Sequence, residues 1–129
     1  MIHMFATGDM ALLPDTVSEA YRDHQGLAGV EVCGPSGFAR VVEAARQLRD
    51  LEIGVEDMFA EDDRAVARIR WTGTLDDGTP LERKTIDIVR AADGLAVEHW
   101  GAELRPREAR PSTDALPVTG EHRALRRDP

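Results

Sequence analysis

Apolar residues recur at intervals of three and four in the first part of the chain and alternate with polar ones after residue 51. Helices are therefore predicted first and strands afterwards. The clearest helix spans residues 35–49. Pro35 and Ser36 open it, and Phe38, Val41, Val42, Ala45 and Leu48 make one buried stripe. Residues 1–6 predict a short helix closed by Thr7-Gly8-Asp9. Residues 10–21 predict another, with Pro14 near its start and Leu12, Leu13 and Val17 on one side, and residues 22–32 read as a loop holding Gly26 and Gly29. The period then becomes two. Leu51, Ile53, Val55, Asp57 and Phe59 alternate against Glu52, Gly54, Glu56 and Met58. Residues 64–74, 81–91 and 95–104 give three further strands, separated by turn signals at Asp76-Asp77-Gly78 and Ala92-Asp93-Gly94. Helices followed by strands predict an α+β layer, with one curved antiparallel sheet, helices on one face and a pocket at the open end.

The chain has 129 residues, and net charge −8 comes from 16 basic against 24 acidic side chains. That length predicts one folded domain, and the acidic balance argues against nucleic acid as a partner. Charge and proline divide the chain into a domain of residues 1–104 and a Pro/Arg-rich tail of residues 105–129, expected to be an extended appendage. No apolar run reaches the ~20 residues of a membrane span, and no secretory signal opens the chain, so a cytoplasmic address is expected. Cys33 is the single cysteine and the four histidines are scattered, so neither a disulfide nor a metal site is predicted.

Candidate chemistry sits in the last strand pair. Asp87 interrupts the apolar run Thr85-Ile86-Asp87-Ile88-Val89, and His99 lies across the turn in Val97-Glu98-His99-Trp100-Gly101. A three-residue loop at 92–94 would pair Ala91 with Leu95 and make Asp87 and His99 direct neighbours, with β-carbons about 4.5–5.5 Å apart. A two-residue turn would put them on opposite faces. The three-residue register is the expected one. A carboxylate and an imidazole sharing a dry pocket can take a proton from a carbon acid and return it to an oxygen. The competing reading makes Asp87 a surface ion-pair partner of Arg70 or Arg83. Tyr21, Asp23, His24, Trp71 and Thr85 are the candidate substrate-binding residues, and Gly34-Pro35-Ser36-Gly37 reads as a helix start rather than a phosphate loop.

Tyr21-Arg22-Asp23-His24, Gly34-Pro35-Ser36-Gly37-Phe38, Val55-Glu56-Asp57-Met58 and the hairpin from Asp87-Ile88-Val89-Arg90 to Glu98-His99-Trp100-Gly101 resemble the SnoaL-like polyketide cyclases. These belong to the nuclear-transport-factor-like superfamily, alongside ketosteroid isomerase, scytalone dehydratase and limonene epoxide hydrolase. The resemblance covers about residues 5–104. It implies a cone-shaped pocket, a homodimer through the outer face of the sheet, and a cofactor-free ring closure on a hydrophobic carbonyl-bearing substrate. Three departures stand out. Gly101 occupies the place where cyclases of this family carry an acid/base Asp, the Arg-plus-two-Asp set of the epoxide hydrolases is not evident, and the first helix is short. The resulting expectation is a cyclase or isomerase in which Asp87 removes a proton and His99 holds the oxyanion. The alternatives are a binding module without catalysis and a hydroxylase or epoxide-opening relative.

Overall fold

A computed structural model describes residues 1–105. The tail expected at 105–129 lies outside the described residues except for Arg105. Two helices, α1 (Ile2–Thr7) and α2 (Gly34–Ala45), cover one side of a six-stranded sheet. The strands are β1 (Val17–Leu27), β2 (Val30–Cys33), β3 (Arg49–Glu61), β4 (Arg64–Thr74), β5 (Pro80–Ala92) and β6 (Leu95–Leu104), in the order β2-β1-β6-β5-β4-β3. The sheet is curved and does not close. No described helix is long and apolar enough to cross a membrane.

The four strands expected after residue 51 are present as β3 to β6. The region before α2 differs from expectation. Residues 10–21 do not form a helix: a single 3₁₀ turn at Leu13–Asp15 gives way to β1. In β1 the period is two, because Val17, Tyr21 and Asp23 are buried on one face. The predicted loop is the rest of β1 and its hairpin to β2, turned through Ala28 and Gly29, both with positive φ. β1 lies parallel to β6, so the sheet is mixed rather than wholly antiparallel.

α2 begins at Gly34 with Pro35 in its first turn, where a missing N–H costs nothing. It buries Phe38 and Val42 but ends at Ala45, four residues earlier than the stripe predicted. Arg46 then reaches back and donates from Nη1 to the carbonyls of Phe5 and Ala6, at 3.0 Å each, which satisfies the open C-terminal end of α1. The core between helices and sheet is Met4, Val17, Tyr21, Phe38, Val42 and Ala96. The ring of Phe5 meets Phe38 and Trp71 edge-on, at 5.5 and 5.3 Å between centroids. These rings roof a hollow above the sheet.

Candidate active site

The β5–β6 turn brings Asp87 and His99 together by a route different from the expected one. Asp93 (φ 52°) and Gly94 (φ 76°) form a two-residue turn, and Ala92 pairs with Leu95. That register alone would separate the two side chains. A bulge on β6 opposite Arg90 and Ala91 then inserts Val97, which has no partner on β5, so that Val89 faces His99 and Asp87 faces Gly101. Asp87 and His99 return to the same face as diagonal neighbours, and His99 Nε2 lies 2.8 Å from Asp87 Oδ1. The ion-pair reading of Asp87 does not hold, because Arg70 bonds Glu82 and Arg83 lies nearest Glu103.

A second carboxylate completes the group. The parallel β1–β6 pairing sets Asp23 beside His99, and His99 Nδ1 lies 2.8 Å from Asp23 Oδ1. Asp23 is 2% exposed and also accepts from the backbone N–H groups of Gln25 and Gly26, at 3.0 and 2.9 Å. Tyr21 points its hydroxyl at Asp23 Oδ2 from 3.4 Å, longer than a strong O–H···O bond. On the other side, Thr85 donates to Asp87 Oδ2 at 2.6 Å and accepts from Trp71 Nε1–H at 2.9 Å. A continuous chain of hydrogen bonds therefore crosses four strands: Trp71, Thr85, Asp87, His99, Asp23.

Electrostatics fix the protons. Burial alone would lower the His99 pKa, but hydrogen bonds to Asp23 and Asp87, with their charges, raise it to about 9. His99 is thus an imidazolium at neutral pH and donates from both nitrogens. Burial pushes the Asp23 carboxyl up, yet the His99 bond, the two backbone donors and the imidazolium charge bring it below its ordinary value. Burial and the Asp23 and Asp87 charges raise the Tyr21 phenol, which stays neutral.

A cavity of about 890 Å³ opens over this chain. Phe5, Phe38, Val41, Leu48, Ile69 and Val89 supply apolar wall, while Asp23, Asp87 and His99 mark its polar end. Of the residues expected at the site, Tyr21, Asp23, Trp71, Thr85, Asp87 and His99 all line it. His24 does not. As the neighbour of Asp23 along β1 it turns to the opposite face, where it bonds Glu31 (3.1 Å) and Glu98 (2.8 Å) and stacks on Trp100. Nor does His99 keep a free N–H for a ligand, because both ring nitrogens are occupied. Sequence reading missed Gln25, which lines the cavity. Its signal was parity with Asp23 and Tyr21, hidden while this stretch read as a loop.

Comparison with known proteins comes to the same fold. A family model described as SnoaL-like domain matches residues 1–99. The structure of TsrD from Streptomyces laurentii is 25% identical, with a TM-score of 0.67, and the match covers 78% of this chain and 79% of that one. A candidate polyketide cyclase from Bacillus cereus is 29% identical (TM-score 0.67), over 78% of this chain and 66% of that one. AclR from Streptomyces galilaeus, described as a candidate hydroxylase, is 22% identical (TM-score 0.64) over 79% and 72%. No curated protein sequence matches the chain.

Proposed function

The chain belongs to the SnoaL-like domain family, and on that footing we propose that it is a cofactor-independent acid/base catalyst of the polyketide-cyclase type, acting on a hydrophobic small molecule that carries a carbonyl. The observation that carries this reading is the Asp23–His99–Asp87 group at the polar end of an otherwise apolar cavity. Asp87 is the base. It removes a proton from the carbon next to a carbonyl, and the C–H electron pair moves to the carbonyl oxygen as an enolate. In a ring closure the enolate carbon attacks a second carbonyl, and Asp87 returns the proton to the new alkoxide. His99 keeps its own proton throughout. Its charge steadies the ionised Asp87 beforehand, and Asp23 keeps that charge in place. Thr85 and Trp71 fix the orientation of the carboxylate. The volume suits a drug-sized or polycyclic ligand.

Position 101 bears on this assignment. Asp87 is the cross-strand partner of Gly101, so the carboxylate stands opposite the position where the family's cyclases carry theirs. We further propose a homodimer through the outer face. There Phe59, Val66, Ile88 and Trp100 form a continuous apolar row across four strands, and Phe59 is 62% exposed.

The test is a base assay with the carbon acid 5-nitrobenzisoxazole. Loss of its ring C–H proton breaks the N–O bond and yields a coloured phenolate. Asp87→Asn should lower turnover by at least ~100-fold with the fold retained. Turnover equal in both proteins would remove Asp87 from the mechanism and favour a binding module without catalysis.

A further inference from the structure

The donors at the polar end of the cavity are almost all spent within the protein. Both N–H groups of His99 go to carboxylates, the Thr85 proton goes to Asp87, the Trp71 N–H goes to Thr85, and the Tyr21 hydroxyl is turned to Asp23. Arg83 lines the cavity as well, but it sits four residues from Asp87 along β5, roughly 13 Å away at strand spacing. Gln25 is different. Its backbone N–H is pinned to Asp23 Oδ1, which fixes the root of the side chain. Among the described residues its side-chain amide has no hydrogen-bond partner, although an amide offers two donors.

Gly101 explains where that amide rests. A β-carbon at position 101 would collide with Gln25 Oε1, and would lie 2.7 Å from Gln25 Cδ and 3.0 Å from Asp87 Oδ1. The absent side chain is thus the seat of the Gln25 amide, and the seat adjoins the carboxylate. The amide rests with Oε1 against Gly101, and because neither of its polar atoms is bonded among the described residues, half a turn about Cγ–Cδ exchanges that oxygen for the Nε2 donor at the same seat beside Asp87.

We propose that Gln25, seated over Gly101 beside Asp87, is the catalytic residue that holds the substrate's carbonyl oxygen and stabilises it as it becomes an enolate. The inference rests on the reading of Asp87 as the base. The substrate it implies presents its reacting carbonyl to a neutral amide, with the acidic carbon beside that carbonyl placed over Asp87. No charged group on the substrate is needed at this end.

Gly101→Ala offers an unusual test. Gly101 does not have positive φ, so alanine fits the backbone; the worst clash is with the far end of the flexible Gln25 side chain, and Asp87 Oδ1, at 3.0 Å, has to give only by a few tenths of an ångström. The substitution should therefore push the Gln25 amide off its seat and leave the fold intact. With 5-nitrobenzisoxazole, whose breaking N–O bond also builds charge on oxygen, Gln25→Leu and Gly101→Ala should each lower kcat at least ~10-fold with KM little changed. The double variant should be no worse than either single one, because both remove the same contact. Additive losses, or kcat unchanged in Gln25→Leu while Asp87→Asn is inactive, would overturn the role of Gln25 and leave Asp87 standing. If instead Asp87→Asn turns over as wild type does, the base assignment fails, and Gln25 is judged by fluorescence titration with 2-naphthol, which needs no base. Roughly tenfold weaker binding to Gln25→Leu would support the oxygen-holding role, and equal binding would end it.

Discussion

Raising the pH from 6 to 10 should remove the proton that ties β6 to both of its neighbours. His99 ordinarily titrates near 6.5 and here is raised to about 9. A group whose folded pKa is raised contributes stability that is complete below the unfolded value and disappears as pH climbs through the folded one. The loss should therefore run from about pH 6.5 to 9. The shift corresponds to roughly 3 kcal/mol. His99 is only 13% exposed at the side chain, so screening by water trims this little. Against the 5–15 kcal/mol typical of a small domain, that is a large share. Urea unfolding at a series of pH values measures it, and at about 1–3 kcal/mol per M the midpoint should fall by one to a few M. The half-buried amine of Met1 has the opposite sign, because its lowered pKa makes the charged form unfavourable in the fold. His99→Gln retains that amine and lacks the imidazole. Subtracting its pH profile from that of the wild type therefore isolates His99. A difference that stays flat from pH 6.5 to 9 would refute the argument that two carboxylates hold the proton on this ring.

Three further outcomes follow from the geometry. Thr85→Val leaves the Trp71 N–H and Asp87 Oδ2 each without a partner. It should cost about 1–3 kcal/mol in urea unfolding, and less than its full value when made in Trp71→Phe. Arg46→Met frees the carbonyls of Phe5 and Ala6, so the amides of α1 should exchange with deuterium distinctly faster while those of β4 keep their protection. Phe59→Asp places a charge in the exposed apolar row and, on the proposed dimer, should shift sedimentation towards monomer, while the unfolding free energy of the monomer changes by less than about 0.5 kcal/mol.

Much of the architecture was legible because it depends on local period. The stripe of Phe38, Val41 and Val42 announces α2, and alternation announces β3 to β6. β1 was not legible for a physical reason. Leu12, Leu13 and Val17 satisfy helical spacing, and the strand partner that residues 17–23 find along β1 is β6, more than seventy residues away, with β2 joining only from Arg22 onward. The site was read through the same filter. Asp87 stands out as a charge in an apolar strand, and His99 lies across a recognisable turn. The register between them depends on a bulge at Val97, where no glycine advertises it. Asp23 and His24 are adjacent and equally polar. Which of them enters the cavity is decided by strand parity, and parity is invisible in a stretch read as a loop. Gln25 was missed with it.

The parallel union of β1 with β6 also sets a timetable. β3 to β6 can zip up through successive hairpins, each closing a short loop, whereas β1 must wait for a partner made near the far end of the domain. His99 meets Asp87 within one hairpin, but it meets Asp23 only across 76 residues. A ribosome-bound chain that has emerged only as far as β5 would hold the hydrophobic walls and both carboxylates, but not the imidazole that joins them. The Asp23–His99–Asp87 group is completed last, by the same event that joins the beginning of the domain to its end.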